Sequence, residues 1–389
     1  MPKSNRTRWI AALAVTVALA GGALAGAACG EDHADVLVRG DGGFADGGDS
    51  GAVAILSCGV AVTPTYTSDA FQTNASEELG LHAALDDLIG KMQAAEGGGT
   101  SVVTTTELSM LYTTGTPSVR SSSTTTTQAI VDGYLQQFGD AASKTWTADE
   151  PESEAGAPTG GKYGGAEIVS PTGVGLRAAT YGTLLGGAFY NHALAIASGP
   201  VTEATVDRFV AIWGASTKLA NSTDDDKLLA AYASQRDDKS QPAPGSYRRM
   251  AVALLSAKVA AANGDKCKDD LDAAIKVFLA EWERTTYATA IYFLNDAAAK
   301  ALASPPNGPV ALDSLGTALG LVQGFKGIAT DRRKITDAQV DDIVSTIGTP
   351  YLLVAHTSDR VPAIVEAIQK IQNVYGFTQA EVDAFERIF

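Results

Sequence analysis

The residues with the clearest capacity for chemistry lie in "SEELGLHAALDDL", residues 76–88, where Glu78, His82 and Asp86 recur at intervals of four. On a helix that interval places all three along one stripe, with two carboxylates bracketing an imidazole. Such a donor set suits zinc or ferrous iron. It is equally a solvated flank carrying ordinary helix side-chain pairs. Leu81, Leu85, Leu88 and Met92 run beside it at helical spacing and read as the buried face, with Leu85 in the core. The remaining histidines, His33, His192 and His356, are dispersed along the chain. With so few imidazoles no tightly held metal is expected, and Glu78, His82 and Asp86 stand only as weak candidate ligands.

Other constellations fail sooner. The sequence has no H-E-x-x-H pair for a zinc peptidase, no G-x-S-x-G elbow for a hydrolase and no glycine-rich phosphate loop followed by lysine. The acidic runs "TDDDK" and "KCKDDLD" lack the sixth-position glycine and terminal glutamate of a calcium loop. They stand at expected helix starts, where carboxylates favour the positive end of the helix dipole. Cys58 and Cys267 are in no C-x-x-C pair and have no histidine nearby in sequence, so neither reads as a catalytic thiol. In an oxidising compartment the two can bridge; two separate buried thiols are the alternative, and spacing alone leaves both open. No catalytic residue and no cofactor are expected.

The N-terminus addresses the compartment. Lys3, Arg6 and Arg8 precede the apolar run "WIAALAVTVALAGGALAGAAC", the layout of a secretory signal over residues 1–28. "GAAC" resembles the lipobox of bacterial lipoproteins, with Gly26 where leucine is usual. That resemblance makes Cys29 the lipidated first residue of the mature chain, and several acyl chains on one cysteine give stable membrane anchoring. Gly30, rather than aspartate, follows it, which by the same resemblance favours the outer membrane. The full chain carries 29 Lys+Arg against 44 Asp+Glu, a net charge of −15. Residues 1–28 hold three of the positive charges and no acidic residue, so the mature chain stands at −18. A surface this acidic repels phosphate backbones, so nucleic acid is not an expected partner.

In residues 29–65, Cys29 is followed by "GEDHADVLVRGDGGFADGGDSG", which is too poor in apolar residues to offset its ordering entropy, and the segment reads as a flexible Gly/Asp-rich tether. Beyond residue 66 the pattern is helical almost throughout. Asn74 with Glu77, Thr104 with Glu107 and Thr378 with Glu381 have capping-box spacing. Gly and Pro clusters such as "EGGGT", "NGDK" and "SPPNGP" mark the stops. The longest helix is predicted from about residue 268 to about 303. "AATYGTLLGGAFYNHALAIA", residues 178–197, has no charged residue but few large aliphatics. It reads as a central packed helix with Gly182 and Gly186 on one face, and it puts His192 in or near the core as a structural imidazole. "TWTADEPESEAGAPTGGKYGG" opens a long Pro and Gly rich insertion, residues 146–170, read as a mobile loop over a cleft or a disordered excursion.

Several stretches resemble a known family. "GGAFYNHALAIA", "FLAEWERTTYATAIYFLNDAAAKAL" and "ALDSLGTALGLVQGFKGIATDRRKITDAQVDDIV" look like the later helices of imelysin-like proteins, closest to a branch of bacterial envelope lipoproteins. "ASEELGLHAALDDLIGKM" with "TTTELSMLY" resembles the first helices of that branch. The likeness spans residues 66–389. It implies an all-α fold of two related helix bundles, export and, for some relatives, a role in iron uptake. The family's G-x-H-x-x-E signature is matched here by Gly80 and His82, but Leu85 stands in place of the glutamate. Two functions follow as expectations. One is a non-catalytic envelope lipoprotein that binds a metal such as iron or zinc, a small ligand or an envelope protein. The other is a metal-dependent hydrolase built on Glu78, His82 and Asp86.

Overall fold

The computed structural model describes residues 54–97, 103–147, 160–219, 222–237 and 245–385. The predicted signal, Cys29, His33 and residues 29–53 of the predicted tether lie outside the described residues, as do residues 148–159 of the insertion.

Helices dominate. After the short α1 (Phe71–Asn74) come α2 (Ser76–Glu96), α3 (Thr105–Thr113) and α4 (Thr125–Ala141), then three short strands, β1 (Thr145–Trp146), β2 (Gly161–Tyr163) and β3 (Glu167–Val169). A π-helical turn at Leu184–Ala188 joins α5 (Leu176–Thr183) to α6 (Phe189–Ala197). Next are α7 (Glu203–Trp213), α8 (Leu228–Arg236) and α9 (Ser246–Ala262). A 3-10 turn at Gly264–Cys267 feeds α10 (Lys268–Leu302). The described chain closes with α11 (Gly308–Gly324), α12 (Asp337–Ile347), α13 (Tyr351–Ala355), α14 (Thr357–Tyr375) and α15 (Gln379–Phe385). The fold is all-α in class.

α10 is the axis of the body. It runs 35 residues and packs against α9 and α11, with further contacts to α8, α14 and α15. Because neighbours surround it, apolar side chains emerge on more than one side, and Phe278, Trp282, Tyr287 and Ile291 are all buried. A helix packed this way has no single greasy stripe, which is why length and stop signals rather than periodicity reveal it.

The charge-poor stretch predicted as a central helix is α5, the π turn and α6. Among the described residues no helix is long and apolar enough to cross a membrane. The chain bends close to α11 instead, where Gly316, Gly320 and Gly324 repeat every four residues. A Cβ added at Gly182 would sit 2.4 Å from the Thr317 carbonyl oxygen, and one at Gly320 would sit 2.3 Å from that of Ala179. Both neighbours are backbone and cannot swing aside. Gly320→Ala is therefore expected to destabilise the protein by about 1–3 kcal/mol through overpacking. Thermal unfolding measures this, and an unchanged midpoint would mean that the two helices are not in intimate contact.

Two segments depart from the sequence reading. The tether predicted over residues 29–65 gives way sooner to structure, and residues 54–65 are ordered on the helical body. Leu56 and Val62 are buried, Ile55 bridges Ala61, and Cys58 is disulfide-bonded to Cys267 at the start of α10. Asp270 fixes the turn by accepting from Ser57 N at 2.9 Å and Cys58 N at 3.0 Å. The apolar run "AVAILSCGV" provides the surface that the Gly/Asp-rich stretch before it lacks.

The second departure is the insertion read as a loop over residues 146–170. Its described ends form a three-stranded sheet, β1 parallel to β2 and β2 antiparallel to β3. Gly164, Gly165 and Ala166 connect β2 to β3, with the two glycines at φ +60° and +76° in a turn closed by Ala166 N donating to Tyr163 O. Trp146 and Val169 form a small core with Leu312 of α11. A lesser correction concerns Asn74. Thr104 with Glu107 caps α3, and Thr378 pairs with Glu381, but Asn74 donates to Asp207 and leaves α2 without a side-chain cap.

Candidate functional site

The predicted metal stripe is split by burial. Glu78 is fully buried, His82 is half-buried and Asp86 is exposed. Eight residues of helix separate Glu78 from Asp86, about 12 Å of rise, so the two carboxylates do not converge on one ion. Glu78 instead accepts from His192 Nε2 at 2.8 Å and from Arg208 Nε and Nη2 at 2.9 and 2.7 Å, all on Oε1. Burial works against its charge, but the bonds from His192 and Arg208 hold its carboxyl below the usual range. His192 lies in the core, as expected, and its partner is this buried glutamate.

His82 stacks on Phe189 with ring centroids 5.5 Å apart and is hydrogen-bonded to the Ile212 backbone. Burial pushes its pKa down, against the Ile212 backbone bond and the charge of Asp86. Leu85 is fully buried, as expected for a core residue. Gly80 is exposed, and a Cβ there would meet nothing within 4 Å, so no backbone approaches it. His356 is exposed at the start of α14.

A resident zinc or iron needs three protein donors around one point. His82 Nε2 and Glu78 Oε2 are both buried without a partner, which supplies two. Among the described residues the only three donors that come within 4.8 Å of one another belong to Cys58, Cys267 and Asp270, and two of those are sulfurs bonded to each other. The residues present do not fit such a metal.

A different site emerges where the small sheet meets the helices. A cleft of about 590 Å³ opens there, lined by Trp146, Lys162, Tyr163, Gly164, Gly165 and Val354 among others. Trp146 and Tyr163 meet edge to face with centroids 5.0 Å apart. Lys162 is the charged residue of the lining. The wall is held from behind by Arg177 of α5, whose Nε donates to Glu96 of α2. Its Nη2 donates to Asp313 of α11 at 2.6 Å and to Glu167 of β3 at 3.5 Å. Glu96 Oε1 also accepts from Ile168 N at 3.2 Å, tying β3 to α2. Burial, then the charges of Asp313 and Glu96, pushes the Glu167 carboxyl up to about 8. Burial also raises Glu96 and Asp313, with Arg177 opposing.

Nothing in the sequence marks this cluster. Its four members lie on four elements spread between residues 96 and 313, so no local spacing joins them. The signal that was present is the Gly-Gly turn in "KYGGAEIV", which marks a hairpin and thereby a wall. Other buried acids are likewise engaged. Asp207 accepts from Tyr66, Ser68, Asn74 and Lys258, and Glu283 accepts from the backbone of Lys334 and Ile335 and from Tyr375. Comparison with family models, with curated proteins and with solved structures finds no match to this chain.

Proposed function

We propose that this protein is a non-catalytic lipoprotein of the cell envelope, held in the outer membrane through a lipid on Cys29, whose helical body binds a small ligand or an envelope partner. The imelysin-like resemblance, with its two related bundles and its iron-uptake relatives, supports the setting. The observation that carries the reading is the cleft between the sheet and α13. It combines an aromatic wall, one lysine and exposed backbone at Gly164 and Gly165, the mix of apolar surface and few polar groups that ligand sites use. The buried ionisable groups, by contrast, serve as internal struts. A single cation in the lining favours a small carboxylate-bearing ligand over a bare metal ion.

The second reading is a metal-dependent hydrolase on a degenerate G-x-H-x-x-E site. The unpartnered Glu78 Oε2 and His82 Nε2 speak for it, and the missing third donor speaks against it. Thermal shift of the mature chain separates the two, with haem, mono- and dicarboxylates, iron(II), zinc and calcium as probes. A rise in melting temperature with a carboxylate ligand, lost in Lys162→Ala and retained in His82→Ala, is expected, with no stoichiometric transition metal. A zinc or iron response that disappears in His82→Ala would replace the binding reading with the hydrolase.

A further inference from the structure

The cluster behind the cleft is unbalanced in charge. Three carboxylates, Glu96, Glu167 and Asp313, face one guanidinium, and their side chains are 7%, 16% and 28% exposed, with Arg177 at 19%. Fully ionised, the group would hold two excess negative charges where water barely reaches, an arrangement that proteins relieve by keeping a proton. Arg177 touches Glu96 and Asp313 closely and Glu167 at the limit of contact, so Glu167 is the least compensated of the three. Arg177 Nη2 reaches both Glu167 at 3.5 Å and Asp313 at 2.6 Å, which brings the two carboxyls side by side, and a hydrogen bond between two acids exists only while one of them is protonated.

The placement of this pair gives it leverage. Glu167 sits on β3 directly across from Tyr163 of β2, a lining residue of the cleft. Asp313 belongs to α11, on which the sheet rests through Trp146, Val169 and Leu312. The groups acting on Glu167 are Asp313 from α11, Glu96 from α2 and Arg177 from α5. Asp296 of α10 acts through Asp313, and Lys300 lies 3.7 Å from Asp296.

We propose that Glu167 and Asp313 form a proton-held clasp that regulates the cleft. With one proton shared the sheet stays docked on α11, and loss of that proton drives the strand bearing Glu167 away and loosens the wall. The clasp rests on the reading of the cleft as the binding site, because it names the regulation of that site. Since Glu167 is pushed up to about 8, the docked form holds through neutral and acidic conditions and yields as the medium becomes mildly alkaline.

Hydrogen exchange of the mature chain without ligand tests this at about pH 6.5 and about pH 8.5, with each rate corrected for intrinsic chemistry. Amides of residues 160–170 are expected to exchange about fivefold faster at the higher pH while those of α10 do not change. Glu167→Gln, which copies the protonated form, is expected to remove the acceleration, and Asp313→Asn to remove it by the other partner. No acceleration in the natural chain, the same acceleration in both variants, or an equal rise throughout α10 would overturn the clasp. Since no ligand enters the measurement, its failure leaves the binding reading untouched, whereas a cleft that binds none of the probes removes the site to be regulated even where the acceleration is seen.

Discussion

Arg177→Leu is expected to lower stability by about 3–5 kcal/mol at pH 8, the loss that follows when one member of a buried ionic network is removed and the others remain charged. Arg177 is the cation contacting Glu96, Glu167 and Asp313, and each of those carboxyls already lies above its ordinary range with the guanidinium in place. The deficit carries a pH signature. A carboxyl whose folded pKa is raised contributes stability that is complete below its unfolded pKa and is lost as pH rises through the folded one. For Glu167 that interval runs from 4.5 to about 8. Without Arg177 the carboxyls are raised further, so the variant should lie close to the natural protein near pH 5 and fall away as the medium approaches pH 8. Urea denaturation at those two pH values measures it. An equal deficit at both would show that the side chain matters for packing and not for charge.

The second large effect concerns the bond between Cys58 and Cys267. It ties residues separated by 209 positions, a loop long enough that the chain-entropy estimate reaches the upper part of the usual range. Replacing both cysteines with alanine is expected to cost about 2–5 kcal/mol, read as a lower melting temperature. The loss should also be felt locally. The turn at residues 56–59 would keep its hydrogen bonds to Asp270 but lose its covalent tie, so amides of residues 54–62 should exchange faster than those of α10. A double variant that melts with the natural chain would show that Leu56, Val62 and Asp270 hold the segment by themselves.

Much of the helical frame is legible in the sequence because its signals are local. The stops at "NGDK" and "SPPNGP" flank α10, so its predicted bounds of about 268 and 303 fall within a residue of the observed ends, and the Leu81, Leu85, Leu88 and Met92 stripe is the buried face of α2. The candidate sites are less legible. Glu78 precedes Leu81 by three and Leu85 by seven, so it belongs to the buried stripe and not to its flank, yet a glutamate at such a position reads as solvated. Its true companions, His192 and Arg208, are 114 and 130 residues away. The sheet is hidden for another reason. Strands of two or three residues fall below any periodic signal, and the turn that joins two of them is embedded in a Pro and Gly rich stretch. Asn74 has cap spacing to Glu77, but a buried aspartate on α7 competes for its amide.

The length of α10 has a mechanical consequence. Its first turn is stapled to the segment leading back toward the N-terminus, and beside its last turn Asn307 N donates to Lys300 O just before α11, whose Gly308 lies against Tyr163. Thirty-five residues of helix span about 50 Å. The disulfide-bonded segment and the small sheet thus stand at opposite ends of one continuous rod, and a pull on the first reaches the second only along the whole of α10.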